Sequence, residues 1–163
     1  MEEYKKQELA GQIARQVMEQ LNGNRWNLDT AKRIMEAVER RSAEQRLCSV
    51  VAVCGADGNM IAVHRMEGAY LVSFDVAMKK AYTAVAVQMS TRELGELAQP
   101  GGMFYGVDKA DHGRIIIIGG GVPVYYNGQL AGAVGVSGGT AQEDHELAEY
   151  GRKIAEDILY GRV

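Results

Sequence analysis

The stretch from Ile115 to Asp144, IIIIGGGVPVYYNGQLAGAVGVSGGTAQED, most constrains what this chain can fold into. Eight of the chain's 20 glycines lie between Gly119 and Gly139. Glycine at that density removes side chains where backbone must turn sharply or be closely approached. The stretch reads as a strand over Ile115–Ile118, a glycine break, and a strand over Val122–Tyr126. An Asn127-Gly128 turn and a return strand over Leu130–Val136 follow. Thr140 and Glu143 form a capping box that launches a final helix over 141–160, with Leu147, Gly151, Ile154 and Ile158 inward. A catalytic loop, a ligand cradle and a plain glycine-rich hairpin all fit this pattern.

Upstream, Leu9, Ile13, Val17 and Leu21 recur every fourth residue and make 1–21 an amphipathic helix, ended by Asn22-Gly23-Asn24. Residues 1–24 therefore read as a helix and joint ahead of a body that spans 25–163. The helix packs on its own body, mediates oligomerisation, or docks into another protein's groove. Asn27 caps a helix over 28–45. The β-branched run LCSVVAVC (47–54), the Asp57-Gly58 turn and MIAVHRM (60–66) predict a hairpin. A helix over 72–88 presents Ala77, Ala81 and Ala84 as a small face for close approach to a sheet. Ser90 and Glu93 box a short helix that stops before Pro100, and 101–113 is a loop long enough to cover a ligand. The order α-ββ-α-α-βββ-α predicts an α+β fold, a five-stranded antiparallel sheet covered by helices.

At 163 residues and 47% hydrophobic content the chain suits one domain with a short appendage. A net charge of −3 gives no footprint for nucleic acid, and Arg40-Arg41 and Lys79-Lys80 read as solvated helix faces. No apolar run reaches membrane-span length and no signal peptide is visible, so the expected location is cytoplasmic. Cys48 and Cys54 fall on one face of one expected strand, too far apart to bridge, and read as buried, reduced thiols.

Gly135-Val136-Ser137-Gly138-Gly139 matches the nucleophile-elbow pattern G-x-S-x-G. A hydrolase is excluded because the one downstream histidine, His145, adjoins Asp144, and neighbours on a helix do not face each other. The turn is better read as a strand-to-helix step whose N–H groups, with Ser137, receive an anion or a ligand carboxylate. Gly119-Gly120-Gly121 lacks the third glycine of a dinucleotide fingerprint, and no P-loop occurs. The three histidines, His64, His112 and His145, show no metal-ligand spacing. His64 is the most telling, because a haem needs an imidazole or soft axial ligand and cations for its propionates, which Arg65, Lys79 and Lys80 can supply. Asp75 and Lys80, five apart on one helix, do not stack.

Taken together, His64–Ala69 (HRMEGA), Asp75–Ala77, Lys80-Ala81, Gly119–Pro123 and Gly132–Gly139 with Asp144 resemble the GlcG/HbpS-type haem-binding family, which includes the C-terminal domain of PduO-type corrinoid adenosyltransferases. The resemblance covers about residues 27–160, closest to the PduO-like members. It implies a profilin-like α/β sandwich assembled into homo-oligomers, and binding of haem or another tetrapyrrole. Its implied ligand-binding set is His64, Arg65, Lys80, Gly120, Gly121, Pro123, Ser137, Gly138 and Asp144. The helix 28–45 lacks the histidine that PduO-like domains associate with haem, which leaves His64, His112 or a non-histidine ligand as axial group. The resemblance also implies a setting in bacterial microcompartments. Leu9, Ile13, Val17 and Leu21 then become the shell-docking stripe of an encapsulation peptide, and the microcompartment lumen becomes the location. The leading expectation is a haem- or tetrapyrrole-binding accessory protein of corrinoid- or diol-related metabolism. The competing expectations are an enzyme acting on a hydroxy acid, aldehyde or diol-derived molecule around Gly119–Pro123, Ser137 and the 101–113 loop, and a non-catalytic oligomeric adaptor.

Overall fold

The computed structural model describes the backbone of residues 2–23 and 25–163, and the side chains of residues 4–14 and 25–163. Five helices and four strands follow in chain order: α1 (Glu2–Gly23), α2 (Leu28–Glu44), β1 (Val50–Gly55), β2 (Met60–Arg65), α3 (Ser73–Val87), α4 (Thr91–Leu97), β3 (Gly121–Tyr126), β4 (Gln129–Ser137) and α5 (Ala141–Leu159). Two 3₁₀ turns, Val107–Lys109 and Asp111–Gly113, lie in the loop between α4 and β3. The strands form one antiparallel sheet in the order β2-β1-β4-β3.

The sheet has four strands where the sequence pattern predicts five. Ile115–Ile118 lies along α3 and α4 without joining a ladder. The Ile116 N–H donates to Thr83 Oγ1 at 3.0 Å, and Gly95 has no side chain because a Cβ there would collide with the Ile117 carbonyl. β3 gives such a strand little to pair with. The Gly121 N–H is taken by Thr91 Oγ1 at 2.9 Å, and Pro123, two residues on along the same edge, has no N–H to give. Four consecutive isoleucines thus satisfy β propensity locally without a sheet partner, since propensity reflects fit to a half-buried surface more than backbone preference.

Period-two alternation divides β1 between two cores. Val51 and Val53 join Val122, Val124, Val134 and Val136 against α2 and α5, where Ile34, Met35, Val38 and Leu147 meet them. Val50, Ala52, Cys54 and Ala133 face α3 and its Ala77, Ala81 and Ala84. The α3 layer is thin because small residues meet small residues: a Cβ on Gly135 would run into the Ala77 carbonyl and the Ala81 backbone. Cys54 is buried in this layer, and burial pushes its thiol up to about 12. Cys48 departs from expectation: it precedes β1 and is exposed.

The local signals are realised. Asn27 accepts from the Thr30 N–H at 3.0 Å to cap α2, and Ser90/Glu93 and Thr140/Glu143 form reciprocal capping boxes on α4 and α5. The Asn127-Gly128 step is left-handed at both residues, φ 49° and 77°, as a type I′ hairpin requires. In α1 the described apolar positions Leu9 and Ile13 are about half exposed, at 57% and 52%; Val17 and Leu21 lie outside the described side chains.

One ion pair ties the layers together. Lys80, on α3, reaches past the sheet edge to Asp144, in the first turn of α5, with Nζ 2.6 Å from Oδ2. Both residues are buried, at 1% and 3% exposure. Nζ also donates to the Val136 carbonyl at 2.9 Å, while Asp144 Oδ1 accepts from the Gly138 and Gly139 N–H groups at 3.0 and 2.8 Å. Burial pushes the ammonium below its ordinary value and the carboxyl above its own. Three donors on the carboxylate oppose that desolvation and favour its charged form.

Removing one partner leaves a buried charge alone, so Lys80→Met should cost about 3–5 kcal/mol of stability in urea unfolding, and Lys80→Met with Asp144→Leu should recover much of that loss. A single-variant loss below about 1 kcal/mol would show that water reaches the pair. Gly135→Ala should push α3 off the sheet at a cost of about 3 kcal/mol, lowering Tm by about 6–12 °C in calorimetry.

Candidate functional site

The residues expected to bind a ligand sort into three places. Lys80, Gly120, Gly121, Ser137, Gly138 and Asp144 come together in the interior around the buried pair. Gly120 sits at φ 125°, and a Cβ there would lie 2.8 Å from Lys80 Nζ and 2.9 Å from Asp144 Cβ. Gly120 therefore makes room for the chain's own ammonium and carboxylate, while Gly121 and Gly135 let backbone of α3 approach and Gly138 lets Cys48 and Ser49 approach. The N–H groups at the start of α5, the expected anion receptor, already hold the carboxylate of Asp144. Ser137 closes β4 opposite Val50 and is buried.

Pro123 lies elsewhere, on the outer strand β3, where it borders a cleft of about 690 Å³ with Ser90, Arg92, His145, Glu149 and Arg152. The Nδ1 of His145 is buried there and has no hydrogen-bond partner among the described residues. Burial lowers the His145 pKa. The Arg152 guanidinium is held by Glu149 at 2.9 Å and by Glu156.

His64 and Arg65 form the third place, at the opposite edge of the sheet. His64 stands across from Val51 and shares its face with α2, whose Glu39 carboxylate lies 2.7 Å from Nδ1. The two side chains are 36% and 27% exposed, at the border of the solvent. A carboxylate on Nδ1 favours the tautomer with the proton there, which leaves the Nε2 lone pair as the one a metal can use, the arrangement that orients metal-ligating histidines. Arg65, next along β2, is exposed on the other face. His112 is exposed, with φ 55°, in a turn held by its neighbours: Asp111 accepts from Tyr82 Oη at 2.6 Å, and the Arg114 guanidinium stacks 3.6 Å over the Tyr82 ring. Lys79 pairs with Asp75 at 3.0 Å, one turn away on α3.

Glu39 is the residue that sequence reasoning did not single out. It is 25 positions from His64, on a helix with several other glutamates, and only the sheet register brings it to the imidazole. The sequence signal that could have found it is its place on α2 one residue beyond Val38, on the flank of the apolar stripe, where a side chain reaches the rim of the sheet.

Comparison with known proteins bears on the family of the chain. A family model described as haem degrading protein HbpS-like matches residues 26–153. An uncharacterized 15.0 kDa protein of Citrobacter freundii, from the dhaT-dhaS intergenic region, is 42% identical over 122 residues, covering 75% of this chain and 86% of that protein. The corrinoid adenosyltransferase PduO of Citrobacter freundii is 36% identical over 116 residues; these span 71% of this chain but 35% of that longer protein. A solved PduOC:heme complex superimposes with a TM-score of 0.75 at 32% identity, covering 77% of this chain and 91% of that one. The match runs through the whole sheet and its covering helices, from Trp26 to within the last turns of α5, and on that ground the chain belongs to the HbpS-like family.

Proposed function

We propose that this protein holds haem, or a closely related tetrapyrrole, at the β2 edge of its sheet, with His64 Nε2 as an axial ligand. The observation that carries the reading is the Glu39–His64 contact: a carboxylate lies 2.7 Å from Nδ1 of a partly exposed ring, so Nε2 is the nitrogen left for a metal. Arg65, at the same edge, is free to meet a propionate. The buried Lys80, by contrast, is spent on Asp144 and Val136, and no propionate reaches it without unfolding α5. The haem complex of the PduOC relative supports the choice of ligand.

The same reading makes the protein an accessory of corrinoid- or diol-related metabolism that binds and presents a cofactor. Its similarity to a corrinoid adenosyltransferase supports that setting. It also makes the protein a homo-oligomer. Tyr70, Leu71 and Val72 are exposed in succession, Leu71 at 96%, and Phe74 is exposed beyond the buried Ser73, a surface that a second copy would remove from water. Residues 1–24 serve as an encapsulation peptide that docks on microcompartment shell proteins, a role supported by the outward apolar positions Leu9 and Ile13 of α1.

Titrating the purified protein with haem should give a shifted Soret band that saturates. His64→Ala should abolish it, and Glu39→Gln should weaken binding about 10–100-fold by freeing the ring to rotate. An unchanged spectrum in His64→Ala would remove His64 as ligand and bring His112→Ala forward. A fluorescent protein fused behind residues 1–24 should form foci in cells that build microcompartments; diffuse fluorescence would refute the docking role.

A further inference from the structure

A cleft of about 750 Å³ opens at the end of the sheet where the two hairpin turns meet, away from His64 and from the buried ion pair. Its size lies within the range of small-molecule sites. Trp26 and Tyr126 supply aromatic walls, Ile61, Leu130 and Leu159 aliphatic ones, and Asp57 stands at the rim.

The walls are built to stay in place. The Trp26 indole N–H donates to the Cys54 carbonyl at 2.9 Å. Its ring lies against Gly132, where a Cβ would collide with both the Cys54 carbonyl and the indole, so the pair they form requires this glycine. Tyr126 is backed by Tyr160, with ring centroids 5.0 Å apart. Arg25, beside this corner, is turned to the end of α5, where it donates to the Leu159 carbonyl at 2.6 Å.

The charge in the cleft has one sign. Among the lining residues Asp57 alone is ionisable near neutral pH, and none is Lys, Arg or His. Its carboxylate accepts from the Asn59 backbone N–H at 3.1 Å and from the Asn59 side-chain amide at 2.8 Å, which hold it below the usual carboxylate range. Each oxygen keeps a lone pair for a further donor.

We infer that this cleft binds an organic cation, a protonated amine carried on an apolar body. The body fills the space between Trp26, Ile61, Leu130 and Leu159, and the ammonium lies between the Asp57 carboxylate and the electron-rich aromatic faces. A carboxylate ligand of the same shape would meet Asp57 with no cation to answer it. A neutral ligand would gain the apolar burial but neither the ion pair nor the ring interaction.

Trp26 is the only tryptophan in the chain, so its emission reports on the cleft directly. The full chain is titrated with phenethylammonium, phenethyl alcohol and 3-phenylpropionate, which share a phenyl body and differ in charge. The emission change should saturate with the amine at about tenfold lower concentration than with the alcohol, and the carboxylate should bind weakest. Asp57→Asn, in an exposed turn, should bring the amine to the level of the alcohol, and 1 M salt should narrow the same gap. His64→Ala should leave all three titrations unchanged, because the cleft is separate from the proposed haem edge. Equal binding of amine and alcohol, an amine preference that survives Asp57→Asn, a response lost in His64→Ala, or no saturable change with any of the three would each overturn the inference.

Discussion

The buried contact between Lys80 and Asp144 sets the terms for the glycine-rich centre of this protein. It joins α3, on one face of the sheet, to α5, on the other, and both helices are pulled against the ends of β3 and β4. An ammonium and a carboxylate can be kept from water only if donors and acceptors surround them. The Val136 carbonyl and the Gly138 and Gly139 N–H groups do this, and no side chain stands at Gly120, where a Cβ would meet the Val136 carbonyl, Lys80 Nζ and Asp144 Cβ. The carboxylate sits where the start of α5 would otherwise attract an anion, so it also answers the helix dipole. The pair and Gly120 are therefore one device: a side chain at Gly120 would occupy the space of the charges, and without the carboxylate the N–H groups at the turn would lack their acceptor.

This device shows where chemistry can and cannot be placed. A stretch with G-G-G and G-x-S-x-G has the look of a site, but its anion receptor is filled by the chain itself. Polar groups at the rims are the partly exposed His64 imidazole beside Glu39 and the carboxylate of Asp57 at the hairpin turns. Function on a fold of this kind is set by such rims, which can vary while the valine and alanine layers stay the same.

The sequence made the local structure legible. Ser90 with Glu93 and Thr140 with Glu143 marked two helix starts, Asn127-Gly128 marked a hairpin, and the β-branched run at 47–54 marked a strand. The match of several short blocks in order also pointed to the HbpS-like family. What stayed hidden depends on the third dimension. Ile115–Ile118 has the composition of a strand, and only the occupied edge of β3, with Pro123 and the Thr91 hydroxyl, denies it a partner. Lys80 and Asp144 were both marked as ligand residues because nothing in a sequence shows that positions 64 apart neutralise each other. Glu39 was passed over for the converse reason: its importance comes wholly from the imidazole that the sheet register sets beside it.

The interior holds the paired Lys80 and Asp144, and we propose that the β2 edge offers the His64 imidazole to a tetrapyrrole. Pulsed electron paramagnetic resonance on the haem-loaded protein, prepared with ¹⁵N-labelled histidine, tests that proposal most directly. The account predicts a histidine nitrogen coupled to the iron that is lost in His64→Ala and kept in His112→Ala. A coupling that survives His64→Ala, or the absence of any histidine coupling in the unaltered protein, would contradict it.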